Sequence, residues 1–455
     1  MQKIFFLFLF FLATNLTAMS QPGPVAKKLD DYLIAANAMN KFNGNAFIIQ
    51  KGKLLLQKSY GYKNFDRHAL NDSNTIFQIG SVTKQFTATV ILKLQEEGKL
   101  SVQDKLSKYF PQLKYTDDIT IENLLTHTSG IYNYTNDIDD NDSAITCNPV
   151  NKQLALDIMF GHPLDFKPGT QFRYSNSGYY LLGLITEKIT GQSYEQNVRD
   201  IIFKPLQMTH SLFDFKHAAD TNIATGYQKI TTTEQVEASA WRWDSTVSYA
   251  AGAIWSTTGD MYKWAQAINK KILSGESWKA MLTPHLDKYG YGVFIDSVFG
   301  KQTITHGGGI PGFIAYLCYY PTEDVSIILL NNYGWFGEAL NAINADLSAI
   351  IFNKPYEVLK DHENKLLPDD ILKKYTGKYE FDKKHPVYIT LKDHQLYMEA
   401  PKGGLPVSPL FAEDEINFYL KIINARIEFA KNETGNIISL TAHYNGKAEV
   451  CKKVK

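Results

Sequence analysis

Three short clusters of residues, far apart in the chain, carry side chains suited to acyl transfer. They are Ser81-Val82-Thr83-Lys84, Tyr174-Ser175-Asn176 and His306-Gly307-Gly308-Gly309. A serine hydroxyl is a poor nucleophile until a base takes its proton. Because residues i and i+3 face the same side of a helix, Lys84 can reach the hydroxyl of Ser81. Each cluster alone is a weak signal, but together they indicate a serine acyl-transfer enzyme.

The second cluster places a phenol beside a side-chain amide. Tyr174 and Asn176 are two residues apart, so in an extended segment their side chains point the same way into one cleft. A phenol can relay a proton to a leaving group, and an Asn amide can bind a substrate carbonyl. The alternative is an ordinary turn before a helix, in which Asn176 is a capping residue.

The third cluster is a glycine run that follows a predicted strand. Glycines at such a place let a substrate approach the backbone, and free N–H groups there can form half of an oxyanion hole. The alternatives are a Gly-rich turn and a histidine, His306, that is merely packed or exposed.

The nucleophile must be held by the helix predicted from Ser81 to about Leu94, which has apolar residues at helical spacing and stops near Gly98. Other helices are predicted at 27–38, 121–125, 151–159, 179–190, 194–202 and 337–352. Strands are predicted at 44–50, 53–60, 290–297, 302–305, 313–320 and 325–331. Strands near both ends of this region, with helices between them, predict one antiparallel sheet flanked by helices in an α/β (α+β) fold.

Beyond residue 353 the composition changes. Residues 354–370 are charged and contain proline, which is typical of a linker. From residue 371 to 455 the pattern consists of short alternating runs separated by turns, which predicts a small all-β, barrel-like domain. The predicted first domain covers residues 21–353, and it is preceded by an N-terminal segment over residues 1–20.

That N-terminal segment has the features of a secretory signal peptide. Lys3 is followed by an apolar run too short to span a bilayer, and small residues stand near Ala18 and Ser20. The protein is therefore expected to be exported, periplasmic or secreted, with no transmembrane anchor. Lys+Arg and Asp+Glu both number 47 in the 455-residue chain, so no excess charge favours nucleic acid as a partner.

Metal sites and disulfide frameworks find no support in the sequence. Asp137, Asp139, Asn141 and Asp142 resemble a calcium loop but lack its glycine and its terminal glutamate, and His362-Glu363 has no second histidine at zinc-peptidase spacing. The three cysteines, Cys147, Cys318 and Cys451, have no metal-binding spacing, and a bridge between two of them stays open. No cofactor is expected.

The ordered clusters resemble the serine β-lactamase and penicillin-binding protein superfamily, in particular its class C, DD-peptidase, D-aminopeptidase and esterase branch. The resemblance covers about residues 30–350, and the C-terminal domain resembles the lipocalin-like barrels appended to this family. Further stretches in the same order support it: Phe77-Gln78-Ile79-Gly80, Leu124-Leu125-Thr126-His127-Thr128-Ser129-Gly130, Pro168-Gly169, Ser177-Gly178-Tyr179, Ala251-Gly252 and Ser256-Thr257.

The resemblance implies a role for each clustered residue. Ser81 would be acylated, Lys84 would be the general base and Tyr174 would take part in proton relay. Substrate would be bound by Asn176, His306, Gly308 and Gly309, with the N–H groups of Ser81 and Gly309 as the oxyanion hole. His127 and Ser129 lie in a signature that is better interpreted as structural.

His306 departs from the β-lactamase pattern, which has lysine there in a Lys-Thr-Gly motif. A histidine that titrates near ~6.5 is often neutral at pH 7, so it is a weaker partner for a substrate carboxylate. Within the family, His-x-Gly resembles DD-peptidases and D-aminopeptidases more than efficient β-lactamases.

The sequence thus predicts a serine hydrolase that forms an acyl-serine intermediate on amide or ester bonds, with D-amino-acid-containing peptides or related small molecules as substrates. β-Lactamase or carboxylesterase activity is the alternative within this class. A penicillin- or peptidoglycan-recognising sensor with little turnover is the alternative from another class. The partner is a small molecule or short peptide, and the oligomeric state stays open.

Overall fold

The computed structural model describes residues 23–138, 147–149, 151–213, 222–230, 236–238, 243–267, 272–334, 337–356, 358–359, 364–382, 385–401, 405–420, 425–444 and 447–454. The predicted signal peptide, the acidic stretch 139–142 and His362-Glu363 lie outside these residues. Within them, no helix is both long enough and apolar enough to cross a bilayer. All three cysteines are free thiols.

A six-stranded antiparallel sheet forms the centre of the first domain, in the order β2-β1-β12-β11-β10-β9. Its two halves come from opposite ends of that domain, because β1 pairs directly with β12 from Gly44↔Asn331 to Gln50↔Val325. The strands of this sheet are Gly44–Gln50 (β1), Lys53–Tyr60 (β2), Phe294–Val298 (β9), Lys301–Ile310 (β10), Phe313–Tyr320 (β11) and Val325–Asn331 (β12).

Helices cover both faces of this sheet. Their bounds are Pro24–Ala38 (α1), Thr83–Glu96 (α2), Ile121–Leu125 (α3), Lys152–Gly161 (α4), Asn176–Thr190 (α5), Tyr194–Val198 (α6), Lys204–Leu206 (α7), Ser245–Gly252 (α8), Thr258–Ala265 (α9), Gly275–Met281 (α10) and Gly337–Ile351 (α11). A π-helical turn, Arg199–Phe203, joins α6 to α7. Two-stranded ribbons pair Tyr62–Asn64 (β3) with Ala69–Leu70 (β4), Phe77–Gln78 (β5) with Trp255–Ser256 (β8), and Tyr227–Ile230 (β6) with Val236–Ala238 (β7).

The alternation of side chains along a strand divides the interior into two cores. Along β1, Phe47 and Ile49 pack into the larger core with α2, whereas Ala46 and Ile48 pack into the smaller core with α1 and α11. Both faces of β1 are therefore covered, which explains why six of its seven residues are buried. The sheet is a rigid central layer between two helical layers.

Helix α2, which follows the candidate nucleophile, is buried on almost every side. Residues Thr83 to Leu92 are all buried, including the polar Lys84 and Gln85. A helix without a solvent-facing stripe belongs in a core. Anything that α2 carries at its N-terminus is consequently held by the packing of the whole domain.

The C-terminal region is a closed eight-stranded barrel. Its interior is filled by side chains such as Tyr375, Tyr379, Phe418 and Phe429, as is usual for barrels of this size. A short helix, Asp369–Leu372 (α12), precedes it, and its strands are Gly377–Glu380 (β13), Pro386–Lys392 (β14), Gln395–Ala400 (β15), Leu405–Ala412 (β16), Asn417–Leu420 (β17), Ala425–Lys431 (β18), Ile437–Tyr444 (β19) and Lys447–Val454 (β20).

The predicted fold class is confirmed, and several local predictions need correction. The strand expected over 290–297 covers only Phe294–Val298 (β9). The helix expected over 179–190 already begins at Asn176, so that its N-cap is Ser175. The glycine run was expected after a strand, but Gly307–Gly309 lie inside β10, which pairs with β11 as far as Ile310↔Phe313. The helix expected to begin at Ser81 begins at Thr83, after a 3₁₀ turn over Gly80–Val82. The helix expected over 194–202 changes at Arg199 into the π-helical turn.

Candidate active site

The candidate nucleophile Ser81 lies in the 3₁₀ turn at the N-terminus of α2, where it is partly exposed. Gly80 just before it has φ +49°, a left-handed conformation that glycine adopts without strain. The ribbon of β5 with β8 and the hydrogen bond from Ile79 N to Ile254 O, 2.9 Å, hold the preceding residues. The turn is thereby fastened to the segment that follows α8.

Lys84 is the candidate base, and its amine has three polar neighbours. Nζ lies 3.0 Å from Ser81 Oγ, 2.8 Å from Asn176 Oδ1 and 2.9 Å from Ala251 O. The two carbonyl oxygens can only accept hydrogen bonds, so they take the two N–H bonds of a neutral amine. The lone pair is then left for the Ser81 hydroxyl, which is the arrangement that proton removal from Ser81 requires.

The charge state of Lys84 follows from its surroundings. The side chain is completely buried, and burial holds its pKa well below the usual value of a lysine. None of its hydrogen-bond partners among the described residues is a carboxylate that would restore the charge. The neutral amine is therefore favoured, as a general base requires.

The carbonyl of Ala251 reaches Lys84 because α8 is sharply kinked. Tyr249 has φ 42° and ψ −131° inside this helix, a conformation that is strained for any residue except glycine. The kink turns the next two carbonyls towards α2, so that Ala250 O accepts from Thr87 Oγ1 at 2.6 Å while Ala251 O accepts from Lys84. The strained conformation of Tyr249 thus places the Ala251 carbonyl where it can accept a hydrogen bond from the candidate base Lys84.

Tyr174 lies over the same lysine, with the centre of its ring 4.8 Å from Lys84 Nζ. Its hydroxyl is buried without a hydrogen-bond partner of ordinary geometry in the described chain. Burial raises the pKa of Tyr174, and the nearby Ser81 hydroxyl opposes that shift. Tyr174 is consequently a neutral phenol whose hydroxyl lies close to the candidate nucleophile.

His127 packs against Tyr174 and ties the second cluster to the rest of the site. The two ring centres are 4.2 Å apart, and His127 Nδ1 accepts a hydrogen bond from Ser175 N at 3.2 Å. Nδ1 is therefore unprotonated, and burial holds the pKa of His127 well below its usual value. The neutral imidazole supports the backbone between Tyr174 and Asn176.

His306 is 2% exposed and makes its contacts with protein groups. Its Nδ1 donates to the Gly307 carbonyl at 2.5 Å, so its Nε2 is free to accept from the Tyr289 hydroxyl at 3.0 Å. Burial lowers the pKa of His306 to about 3, in place of the expected titration near 6.5. The imidazole stays neutral behind the site, and its contact with substrate remains a prediction.

The glycines of β10 allow two backbones to meet at the nucleophile. A Cβ on Gly308 would lie 1.9 Å from Ile79 O and 3.0 Å from Ser81 N, and one on Gly80 would lie 2.9 Å from Gly309 N. Strand β9 pairs with β10 only as far as Thr305, so the following stretch of β10 is free to face the nucleophile turn. The backbone of Gly80-Ser81 thus lies directly against that of Gly308-Gly309, and the oxyanion-hole role of the Ser81 and Gly309 N–H groups stays a prediction.

A cavity of about 300 Å³ opens on Ser81. Among the predicted site residues, Ser81, Asn176 and Gly309 line it, whereas Lys84, Tyr174, His306 and Gly308 are not among its described lining residues. The remaining lining comes from Gly80, Tyr134, Thr135, Trp243, Ser248, Ala251, Gly252, Ile310, Pro311 and Gly334.

Sequence reasoning did not identify several of these groups. The Ala251 carbonyl lies in the Ala251-Gly252 stretch that supported the resemblance, but a backbone acceptor has no signature of its own. Trp243 and Ser248 lie outside the three clusters, and only the fold brings them to Ser81. Thr135, whose Oγ1 accepts from Asn176 Nδ2 at 3.2 Å, was missed for the same reason.

Comparisons with known proteins agree with this geometry. The family described as Beta-lactamase matches residues 30–346, and a Domain of unknown function (DUF3471) matches residues 361–453. Penicillin-binding protein 4* of Bacillus subtilis (strain 168) is 28% identical over 417 residues, which cover 87% of this chain and 91% of that protein.

Two solved structures extend the comparison. The octameric penicillin-binding protein homologue from Pyrococcus abyssi has a TM-score of 0.65 and 26% identity, covering 94% of this chain and 99% of its own. The D-amino acid amidase from Ochrobactrum anthropi SV3, complexed with L-phenylalanine, has a TM-score of 0.64 over 72% of this chain and 98% of its own. At 22% sequence identity, this similarity shows a shared fold and nothing more.

Proposed function

The chain belongs to the β-lactamase family of serine hydrolases, and on that premise we propose that it cleaves amide or ester bonds through an acyl-serine intermediate on Ser81. The proposed substrates are small molecules or short peptides that contain a D-amino acid.

One relationship carries the proposal. Lys84 Nζ lies 3.0 Å from Ser81 Oγ, while Asn176 Oδ1 and Ala251 O are placed to accept the two N–H bonds of the neutral amine. A lysine with only a packing role would not require a serine hydroxyl that donates to the lone pair of its amine. The same serine opens on a cavity large enough for a small substrate.

The proposed acylation step begins with transfer of the Ser81 proton to Lys84. Ser81 Oγ then forms a bond to the substrate carbonyl carbon, and the carbonyl oxygen becomes an oxyanion that accepts from Ser81 N–H and Gly309 N–H. When the tetrahedral intermediate collapses, the bond to the leaving amine or alcohol breaks. The leaving group takes a proton, and the acyl group remains on Ser81.

Tyr174 is proposed to carry that proton to the leaving group. Its raised pKa keeps the phenol protonated, so it can donate to the departing nitrogen or oxygen and regain a proton from Lys84. In deacylation the steps run in reverse with water as the nucleophile, which yields the free acid and restores the Ser81 hydroxyl. Lys84 ends each cycle neutral, as it began.

The proposed substrate class is supported by the names of the similar proteins. Penicillin-binding proteins are among the relatives, and an amidase for D-amino acids shares the fold. His306 in place of a permanent cation also suits these substrates better than efficient β-lactam turnover.

The test is intact-mass detection of acylation with a penicillin, a D-Ala-D-Ala peptide, a D-amino-acid amide and a p-nitrophenyl ester, each compared with Ser81→Ala. A hydrolase gains an acyl mass on Ser81 that disappears as product accumulates. An acyl mass that persists without turnover would favour the sensor alternative. No adduct on Ser81 with any of the four, while the protein is folded, would overturn the proposal.

Export is proposed from the apolar N-terminal segment and its small residues near position 20. Expression of the full chain in a bacterium with a periplasm should yield a protein shortened by about 20 residues, in accordance with the usual length of such leaders. Intact mass of the periplasmic fraction measures this, and a full-length product retained in the cytoplasm would contradict it.

A further inference from the structure

Two polar groups in the wall of the cavity have no hydrogen-bond partner among the residues that the structure describes. They are the indole N–H of Trp243 and the hydroxyl of Ser248, and the two residues are only 9% and 5% exposed. Both residues line the cavity that opens on Ser81. A buried polar group normally has a partner, and leaving one unpaired destabilises the protein by roughly 1 to 3 kcal/mol.

The chemistry of the two groups defines what could pair with them. An indole N–H only donates, whereas a hydroxyl can both donate and accept. Each of them can therefore donate to an oxygen atom of a ligand that occupies the cavity. A ligand carbonyl satisfies this pair, while an ammonium group would leave the indole N–H unpaired.

The absence of charge in the cavity lining further restricts which ligand group can pair with Trp243 and Ser248. In the described part of the chain, none of the residues that line this cavity has an ionised side chain. A carboxylate would lose its hydration here without gaining a cation as partner, which is unfavourable in a partly enclosed site. The lining therefore favours an uncharged acceptor over a charged one.

Gly252 keeps the space beside Ser248 open. A Cβ at this position would lie 3.2 Å from Ser248 Cβ and 3.6 Å from the carbonyl carbon of Gly80. Any larger side chain would occupy the passage between Ser248 and the nucleophile turn. Ser248 and Ser81 line the same cavity on either side of this glycine.

We propose that Trp243 and Ser248 form a subsite for a neutral amide carbonyl on the substrate, so that the enzyme prefers N-acylated, uncharged groups there over a free carboxylate or ammonium. The inference rests on the proposed acyl-serine function and specifies its substrate class. It adds a contact that neither the three clusters nor the family resemblance supplies.

Three p-nitrophenyl esters that share one leaving group test this preference: those of acetylglycine, pentanoic acid and succinic acid. The acetylglycyl ester supplies a neutral amide, the pentanoyl ester has the same chain length without it, and the succinyl ester ends in a carboxylate. The expected order of kcat/KM, after correction for the uncatalysed rate of each ester, is acetylglycyl, pentanoyl, succinyl.

Trp243→Phe removes the indole N–H and keeps an aromatic ring, and Ser248→Ala removes the hydroxyl. Each should lower the ratio of acetylglycyl to pentanoyl kcat/KM by about 3- to 10-fold, the range of one hydrogen bond. The matched control is Trp278→Phe. The indole N–H of Trp278 is also buried without a partner in the described part of the chain, but Trp278 lines a separate cavity of about 50 Å³. That control should leave the ratio unchanged, and an unchanged ratio in both test variants would overturn the inference.

A binding measurement separates this inference from the hydrolase proposal. In NMR spectra of protein labelled with ¹⁵N-tryptophan, the indole N–H signal of Trp243 is assigned as the one that is absent from the spectrum of Trp243→Phe. Acetylglycinamide should shift that signal in a saturable way, and succinate should not. If Ser81 is never acylated, the hydrolase proposal fails, but the titration still shows whether Trp243 binds a neutral amide. The absence of any shift with acetylglycinamide would reject the proposed subsite.

Discussion

Asn176 Oδ1 accepts a hydrogen bond from Lys84 Nζ at 2.8 Å, across the cleft from helix α2 to the start of α5. The same amide donates through Nδ2 to Thr135 Oγ1, which fixes its orientation. The resemblance implied that Asn176 binds the substrate amide, and the geometry adds a second role as an acceptor that directs the lone pair of Lys84 towards Ser81. Substrate contact by Asn176 itself stays a prediction.

This relationship predicts the effect of Asn176→Asp. A carboxylate in place of the amide would raise the pKa of Lys84, because an opposite charge at this distance favours the ammonium form. Since activity requires the neutral amine and is lost as pH falls through the lysine pKa, the acidic limb of the kcat/KM profile should move to higher pH by about 1 to 3 pH units. Thr135→Val, which alters the same amide without adding charge, should leave the limb in place. A profile that is identical in Asn176→Asp and the parent would contradict the contact.

Ser81→Ala should abolish activity on every substrate, because no other group can form the acyl-enzyme. The expected loss in kcat is on the order of 10⁴-fold or more, as for nucleophile deletions in other serine hydrolases. Lys84→Ala should be nearly as damaging, and the double variant should lose little more, since the two residues act as a unit. Steady-state kinetics of the three variants measure this, and retention of most activity in Ser81→Ala would refute the nucleophile.

Gly308→Ala should disable the enzyme although it adds a single methyl group. The new Cβ would lie 1.9 Å from the carbonyl oxygen of Ile79, so the nucleophile turn and β10 would have to separate. Gly307→Ala is the matched control, because its Cβ would make ordinary contacts, at 3.5 Å with the Tyr316 ring and at 3.9 Å with the carbonyl oxygen of Ala315. Labelling of Ser81 by a fluorophosphonate should be lost in the first variant and kept in the second. Equal labelling of both would show that the close approach is not needed.

His306 should make the protein less stable in mild acid. The unfolded chain binds a proton at this residue near pH 6.5, whereas the folded imidazole stays neutral down to about pH 3. Between these values the unfolded state holds more protons, so the free energy of unfolding falls as pH is lowered, by up to ~1.4 kcal/mol per pH unit. His306→Gln should reduce this slope in urea unfolding between pH 7 and 5. Equal slopes in the variant and the parent would contradict the burial of His306.

The domain limits can be tested by removing residues 371–455. We expect the remaining protein to fold and to label at Ser81, because the candidate site is built from residues before 335. It should unfold at a lower temperature than the full chain, since Tyr419 of the barrel is 3% exposed within the core formed by α1 and α11. Its hydroxyl lies 3.3 Å from Nζ of the buried Lys41.

Full-length Tyr419→Ala should reproduce part of that loss in thermal stability and keep the Ser81 labelling. An insoluble or unlabelled truncated protein would show that the barrel is integral to the first domain.

Some features of this protein could be predicted from local pattern because local pattern is what determines them. The strands 44–50, 53–60, 313–320 and 325–331 have the predicted bounds, since alternating or continuously apolar runs ended by turn residues specify a strand by themselves. The spacing of Ser81 and Lys84 is equally local, because one helical turn suffices to bring the two side chains together.

The glycine run was misplaced because glycine is typical of turns, and only the pairing of β10 with β11 extends the strand through it. The alternating runs beyond residue 371 predicted an all-β domain, but closure of the barrel depends on pairing between distant segments such as β13 and β20. The neutral state of His306 likewise depends on neighbours such as Tyr289 that are remote from the motif.

The sequence by itself determined which groups could react, because motif and helical spacing are properties of a few adjacent residues. Only the tertiary structure decided what surrounds them. It buried Lys84 without a carboxylate, turned the Ala251 carbonyl towards it through the kink at Tyr249, and brought Trp243 and Ser248 to the cavity. Burial, hydrogen-bond partners and pKa values arise from contacts between segments that are far apart in the chain, and no local pattern encodes those contacts.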